Sequence, residues 1–107
     1  MSINNSFIID GIAINDKEQL VLLITDHLNW DDEYRHLCLL QDKINSYCSY
    51  CENKQYENVY PDCSFRFAII EIHFLHEPTI NARNFLSVAQ SALAPEGIAI
   101  ECHVDEP

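Results

Sequence analysis

The stretch Asp26-His27-Leu28-Asn29-Trp30-Asp31-Asp32-Glu33 gathers a histidine, four acids and the chain's single tryptophan into eight residues. A histidine beside carboxylates can shuttle a proton near neutral pH or hold a divalent cation, and an indole can wall the pocket where either happens. His27 is the candidate acid/base or metal ligand, with Asp26, Asp31 and Asp32 as candidate carboxylates. The same residues also suit a plainer structural role, in which the acids cap a helix, Trp30 staples its entry and His27 satisfies a local hydrogen bond. A phosphate ligand does not fit, because acidic side chains already occupy the helix N-terminus that would bind it.

Cys48-Ser49-Tyr50-Cys51 has the spacing of a redox pair or of half a zinc site, with Cys63, His73 and His76 downstream. Reactive pairs of this kind use a helix N-terminus to lower the thiol pKa, whereas these two fall in the last turns of a helix, where the dipole opposes a thiolate. His73 and His76 differ in strand parity and so point to opposite faces. Packing thiols are the expectation, with no metal and no cofactor. Tyr50, Tyr56 and Tyr60 lie around the loop that follows that helix and, with Trp30, are the candidate partner-binding aromatics, since such rings combine large contact area with a polar handle. With Gly11 and Gly97 as the only glycines there is no phosphate loop or dinucleotide fingerprint, and neither G-x-S-x-G nor H-E-x-x-H occurs.

The elements that must position these residues follow from periodicity. Ile8 to Ile14 alternates as a first strand, Asn15 to Glu18 turns the chain, and Leu20 to Thr25 is a second strand, apolar at both parities. From Asp32 to Glu52 the period changes: Leu37, Leu40, Ile44, Tyr47 and Cys51 form the stripe of a long helix. Asn53 to Ser64 reads as a loop and Phe65 to Leu75 as a third strand. Glu77-Pro78-Thr79 can cap a second helix over Ile80 to Leu93, and Ile98 to Val104 alternates as a last strand. The order is ββαβαβ. Right-handed crossovers make the last three strands parallel and the first antiparallel, giving an α/β, two-layer domain with a mixed four-stranded sheet and two helices packed on it. The expected core is Ile12, Leu22, Ile24, Leu37, Leu40, Ile44, Ile70, Ile72, Phe85, Ala89 and Ile100.

A chain of 107 residues and 12.4 kDa with 48% apolar residues makes one domain over 1–107. Seventeen acids against six bases give a net charge of -11. That field repels phosphate backbones and anionic lipid, so neither nucleic acid nor membrane is an expected partner, while a basic protein would be attracted. No apolar run approaches a membrane span and the first residues lack the pattern of a secretory signal. Together with five cysteines, an odd number, this leads to the expectation of a cytoplasmic protein with reduced thiols.

The segments Ile9-Asp10-Gly11-Ile12, Leu22 to Glu33, Leu39 to Tyr47 and Tyr60-Pro61-Asp62 resemble a family of small bacterial proteins classed as a domain of unknown function, with D-H-L-x-W-D-D-E as the most specific piece. The resemblance implies a bacterial domain of about this length and carries no activity. The family's pattern does not call for cysteine at Cys48, Cys51 or Cys63. The sequence therefore favours a protein-binding or regulatory module over an enzyme. Acidic single-domain inhibitors, such as immunity proteins that neutralise toxins, share its charge and size. A second copy added along an edge strand, the first or the last, would extend this reading. The alternative is a small metal-dependent or acid/base enzyme using the Asp26 to Glu33 loop.

Overall fold

A computed structural model describes residues 3, 8–62, 65 and 67–105. The strands are β1 (Gly11–Ile14), β2 (Leu20–Asp26), β3 (Ala68–Phe74) and β4 (Ile98–Val104), and the helices are α1 (Glu33–Glu52) and α2 (Ile80–Leu93). They form one sheet in the order β1-β2-β3-β4, in which β1 and β2 are antiparallel and the other pairs parallel. The expected ββαβαβ architecture is the observed one.

Both β-α-β passages step the same way across the sheet, and with right-handed connections this puts both helices on one face. Burial follows: along β2 and β3 every second residue, Leu20, Leu22, Ile24 and Asp26, then Ala68, Ile70, Ile72 and Phe74, is buried. The apolar members of these rows share one cluster with Leu40, Ile44 and Tyr47 of α1 and Leu86 of α2. Ile12, Phe85 and Ile100, expected in the core, are half-buried against it, and Leu37 and Ala89, also expected there, are half-buried. Among the described residues no helix is long and apolar enough to cross a membrane.

Local chemistry sets the ends of the elements. Asp32 caps α1 by accepting the Arg35 N–H at 3.3 Å, and Thr79 caps α2 by accepting that of Ala82 at 3.1 Å. Asn81 Nδ2 donates to Glu33 Oε1 at 3.0 Å, which joins the two helix starts. Gly97, at φ 79, turns the chain from α2 into β4 in the left-handed region that glycine tolerates. The long segment after α1 is shorter as a loop than the sequence suggests: Gln55–Asn58 forms a 3₁₀ turn with Tyr56 buried beneath it.

β1 begins at Gly11 rather than Ile8, and β3 at Ala68 rather than Phe65. The first difference has a clear cause. Asp10 leaves the ladder and uses its Oδ2 to accept the Thr25 N–H at 3.0 Å. The Tyr47 hydroxyl enters the gap, accepting the Asp10 N–H at 2.9 Å and donating to the Leu23 carbonyl at 2.5 Å. Lys43 completes the set: it is fully buried, with Nζ donating to the Ile8 carbonyl at 2.6 Å and to Asp10 Oδ1 at 3.0 Å. Burial pushes the Tyr47 phenol pKa up, so the hydroxyl stays a donor throughout the ordinary pH range.

At the outer edge of β4 the Gln90 side chain acts as a short strand partner. Its Oε1 accepts the Ile100 N–H at 2.6 Å and its Nε2 donates to the Ile98 carbonyl at 3.3 Å. Part of the exposed edge is thereby satisfied from within the chain.

A buried ion pair is costly to leave half made. Lys43→Met is expected to lower the unfolding free energy by about 3–5 kcal/mol, and Lys43→Met combined with Asp10→Asn by less, because the double variant leaves no unmatched charge. Urea titrations of both variants check this, and a double variant that loses as much as Lys43→Met or more would overturn it.

Candidate functional site

The Asp26 to Glu33 stretch forms the junction between β2 and α1. Asp26 sits on the buried parity of β2 and is 2% exposed. Its Oδ1 accepts the Leu28 N–H at 3.1 Å, and its Oδ2 meets Nε2 of His36, itself 2% exposed. His36 Nδ1 lies 3.0 Å from the Asn29 carbonyl, so that nitrogen carries a hydrogen, and the contact with Asp26 holds a proton as well. Trp30 stacks on the imidazole, with ring centroids 3.6 Å apart, and its Nε1 donates to the His76 carbonyl at 3.3 Å. The pair is closed from solvent and joined to the segment after β3.

The candidate residues of this stretch are thus not one cluster. Asp26 meets His36 rather than His27, whose Nδ1 is buried with no hydrogen-bond partner. Asp31 and Asp32 lie toward solvent; Asp32 caps α1, and the Asp31 N–H donates to Asn29 Oδ1 at 3.0 Å. Sequence reasoning passed over His36, although it stands four residues before Leu40 on the helix stripe and so shares its face.

At the far end of α1, Tyr56 is buried and packs edge-on against Phe65 at 5.1 Å, with Tyr60 at 6.3 Å from the same ring. Tyr50 is half-buried against the core. Cys48 and Cys51 are half-buried free thiols, both pushed up to about 11. Desolvation is the main cause for each; Glu96 and Glu52 add repulsion at Cys48, and Cys48 and Glu52 add it at Cys51. They are poor nucleophiles at neutral pH. Cys63 lies outside the described residues.

The sheet face away from the helices carries a second constellation. The register sets three rows across it: Ala13, Val21, Ile69 and Ala99; then Gly11, Leu23, Glu71 and Glu101; then Thr25, His73 and His103. Apolar at one end, the face is charged toward the carboxyl ends of the parallel strands. There the rings of His73 and His103 stack with centroids 4.8 Å apart and planes within 13°. His73 Nε2 lies 2.6 Å from Glu71 Oε1, and its Nδ1 3.4 Å from Asp105 Oδ1. Glu101 Oε1 is 3.8 Å from His103 Nε2. With an ionised carboxylate on each nitrogen, His73 meets both as the imidazolium. Burial pulls its pKa down, but hydrogen bonds to Glu71 and Asp105 outweigh that and the net shift is upward.

Residues 1–106 match the model of DUF6572, a family of unknown function, and the chain belongs to that family. No curated protein and no solved structure matches it at a significant level.

Two outcomes follow from these geometries. Asp26→Ala and Trp30→Ala are each expected to lower the melting temperature clearly, since they orphan or uncover His36, whereas Asp31→Ala should leave it within error; calorimetry on the three variants separates them. At His73 the raised pKa means that its contribution to stability is full below the ordinary histidine value of about 6.5 and fades as pH rises through the folded value. An NMR titration of the His73 ring should accordingly show a midpoint above that of a free histidine, falling when Glu71→Gln or Asp105→Asn removes a partner.

Proposed function

We propose that this domain is a protein-binding module of the inhibitory or regulatory kind, which docks a more basic protein on its uncovered sheet face. The observation that carries this reading is the composition of that face: the apolar row Ala13, Val21, Ile69 and Ala99 lies beside the carboxylates of Glu71 and Glu101, on a chain of net charge -11. An apolar centre beside fixed negative charge suits a partner with apolar anchors and a basic rim. The helix side also has an apolar groove, lined by Ile44, Phe85, Val88, Ala89 and Leu93, but no carboxylate lines it to meet a basic rim.

Of the aromatic candidates, Tyr56 is buried while Trp30, Tyr50 and Tyr60 are half-buried, so contact through them involves their remaining exposed rims. Pairing of two copies along β4 would compete with Gln90 for the Ile98 and Ile100 backbone groups. Docking on the face meets no such competitor among the described residues. For catalysis by the Asp26 to Glu33 stretch, the alternative reading, Asp26 is withdrawn, being 2% exposed and already engaged by His36, while Asp31 and Asp32 stand at the surface away from it.

The test is affinity capture from the lysate of cells that make the protein, with Ile69→Lys as the face variant and Val88→Lys, at a 70% exposed position on α2, as control. One specific basic partner should be held by the wild type and by Val88→Lys and be lost with Ile69→Lys, and its association rate should fall as salt rises. A partner that Ile69→Lys retains, a rate indifferent to salt, or a self-associated dimer in place of any partner would overturn the reading.

A further inference from the structure

We propose that Glu71, His73 and His103 form a binding site for a divalent transition-metal ion, Zn²⁺ foremost, on the open face of the sheet. The inference stands on side-chain geometry and holds whether or not a protein partner docks there. It departs from the sequence expectation of no metal, which compared His73 with His76; the residue facing His73 across the sheet is His103.

The backbone itself builds the triad. Glu71 and His73 are two residues apart on β3 and so project from the same face, and the β3–β4 register sets His103 directly beside His73. The candidate ligand atoms of the three residues all lie within 4.8 Å of one another. Bonds of about 2.0–2.1 Å in a tetrahedral site place ligand atoms roughly 3.3 Å apart. The observed separations run from 2.6 Å, between His73 Nε2 and Glu71 Oε1, up to that limit, so small side-chain rotations on a solvated face suffice. A metal ion entering there takes the place of the proton between Nε2 and Oε1, and the three protein ligands leave one position open.

Two further features point to a cation. Asp105 faces the other nitrogen of His73 at 3.4 Å, the position from which an outer carboxylate orients a metal-bound imidazole and raises its basicity. Glu71 and Glu101 are also direct neighbours in register, a like-charge pair that costs stability across a sheet unless a positive charge sits between them. The ligand set selects the metal. Two imidazoles disfavour Ca²⁺ and Mg²⁺, which prefer all-oxygen shells, and suit Zn²⁺, Co²⁺, Ni²⁺ and Cu²⁺.

The experiment titrates untagged, chelator-stripped protein with ZnCl₂ by calorimetry and with CoCl₂ by visible absorption. One equivalent should bind, with no thiolate charge-transfer band. His103→Ala, at an exposed position that leaves the fold intact, should weaken binding at least tenfold, and Asp105→Asn, which removes no ligand, by about 10–100-fold. The double variant Cys48→Ser with Cys51→Ser should bind as the wild type does. If His73→Ala lowers the melting temperature, His103→Ala alone decides. Wild-type affinity no tighter than that of His103→Ala, or binding that disappears with the two thiols, would overturn the site.

Discussion

The architecture depends on one topological constraint: two right-handed crossovers that step in the same direction. A helix following each of two parallel strands must then lie on the same side of the sheet, because the twist of the strands permits no other packing. One face becomes the core, and on the other the described residues are half-buried or exposed, with no helix over them. Residues two apart on a strand share a fate, and neighbours in sequence do not. Asp26 and His27 illustrate this, the first sealed beneath α1 and the second only half-buried.

A two-layer domain of this size has little apolar depth with which to fix its helices, and two buried polar groups add direction to the packing. Lys43 and His36 lie seven residues apart, about two turns on the same face of α1. Lys43 reaches Asp10, whose side chain holds the Thr25 N–H, and His36 reaches Asp26. Both anchors therefore converge on the last residues of β2. Apolar side chains tolerate a slide of one helix turn; a lysine that must find both a carboxylate and a carbonyl does not. Trp30 extends the arrangement to the segment after the third strand by stacking on His36 while its indole N–H reaches the His76 carbonyl.

Much of this was legible in the sequence because it rests on local periodicity. The bounds of α2 and β4 follow directly from spacing and from the Thr79 and Gly97 signals, and α1 differs from its expected span by one capping residue. Lys43 and His36 were in principle readable too, since both fall on the stripe of Leu40, Ile44 and Tyr47, but a polar residue at such a position looks like a gap in the pattern until its partner is known. The partners are the part that could not be read. Asp10 stands 33 residues from Lys43, and Asp105 stands 32 from His73. Which residue of β4 lies beside His73 is a matter of register, and alternation fixes faces without fixing which residues pair across strands.

The two histidine–carboxylate groups contain the same chemistry in opposite surroundings. Between Asp26 and His36 the proton is locked in: both side chains are at most 2% exposed, and the Trp30 ring closes the way to water. Exchange of that proton for another cation would leave a charge in a medium that cannot solvate it, so burial makes the pair structural. Between Glu71 and His73 the contact is equally direct, yet both side chains keep more than a quarter of their surface in water. Charge is cheap to rearrange there, and a further histidine and two further carboxylates stand within a few ångströms. An exchangeable cation belongs where solvent can deliver and remove it, and among the described residues only the face that the helices leave bare meets that condition for a histidine already in contact with carboxylates.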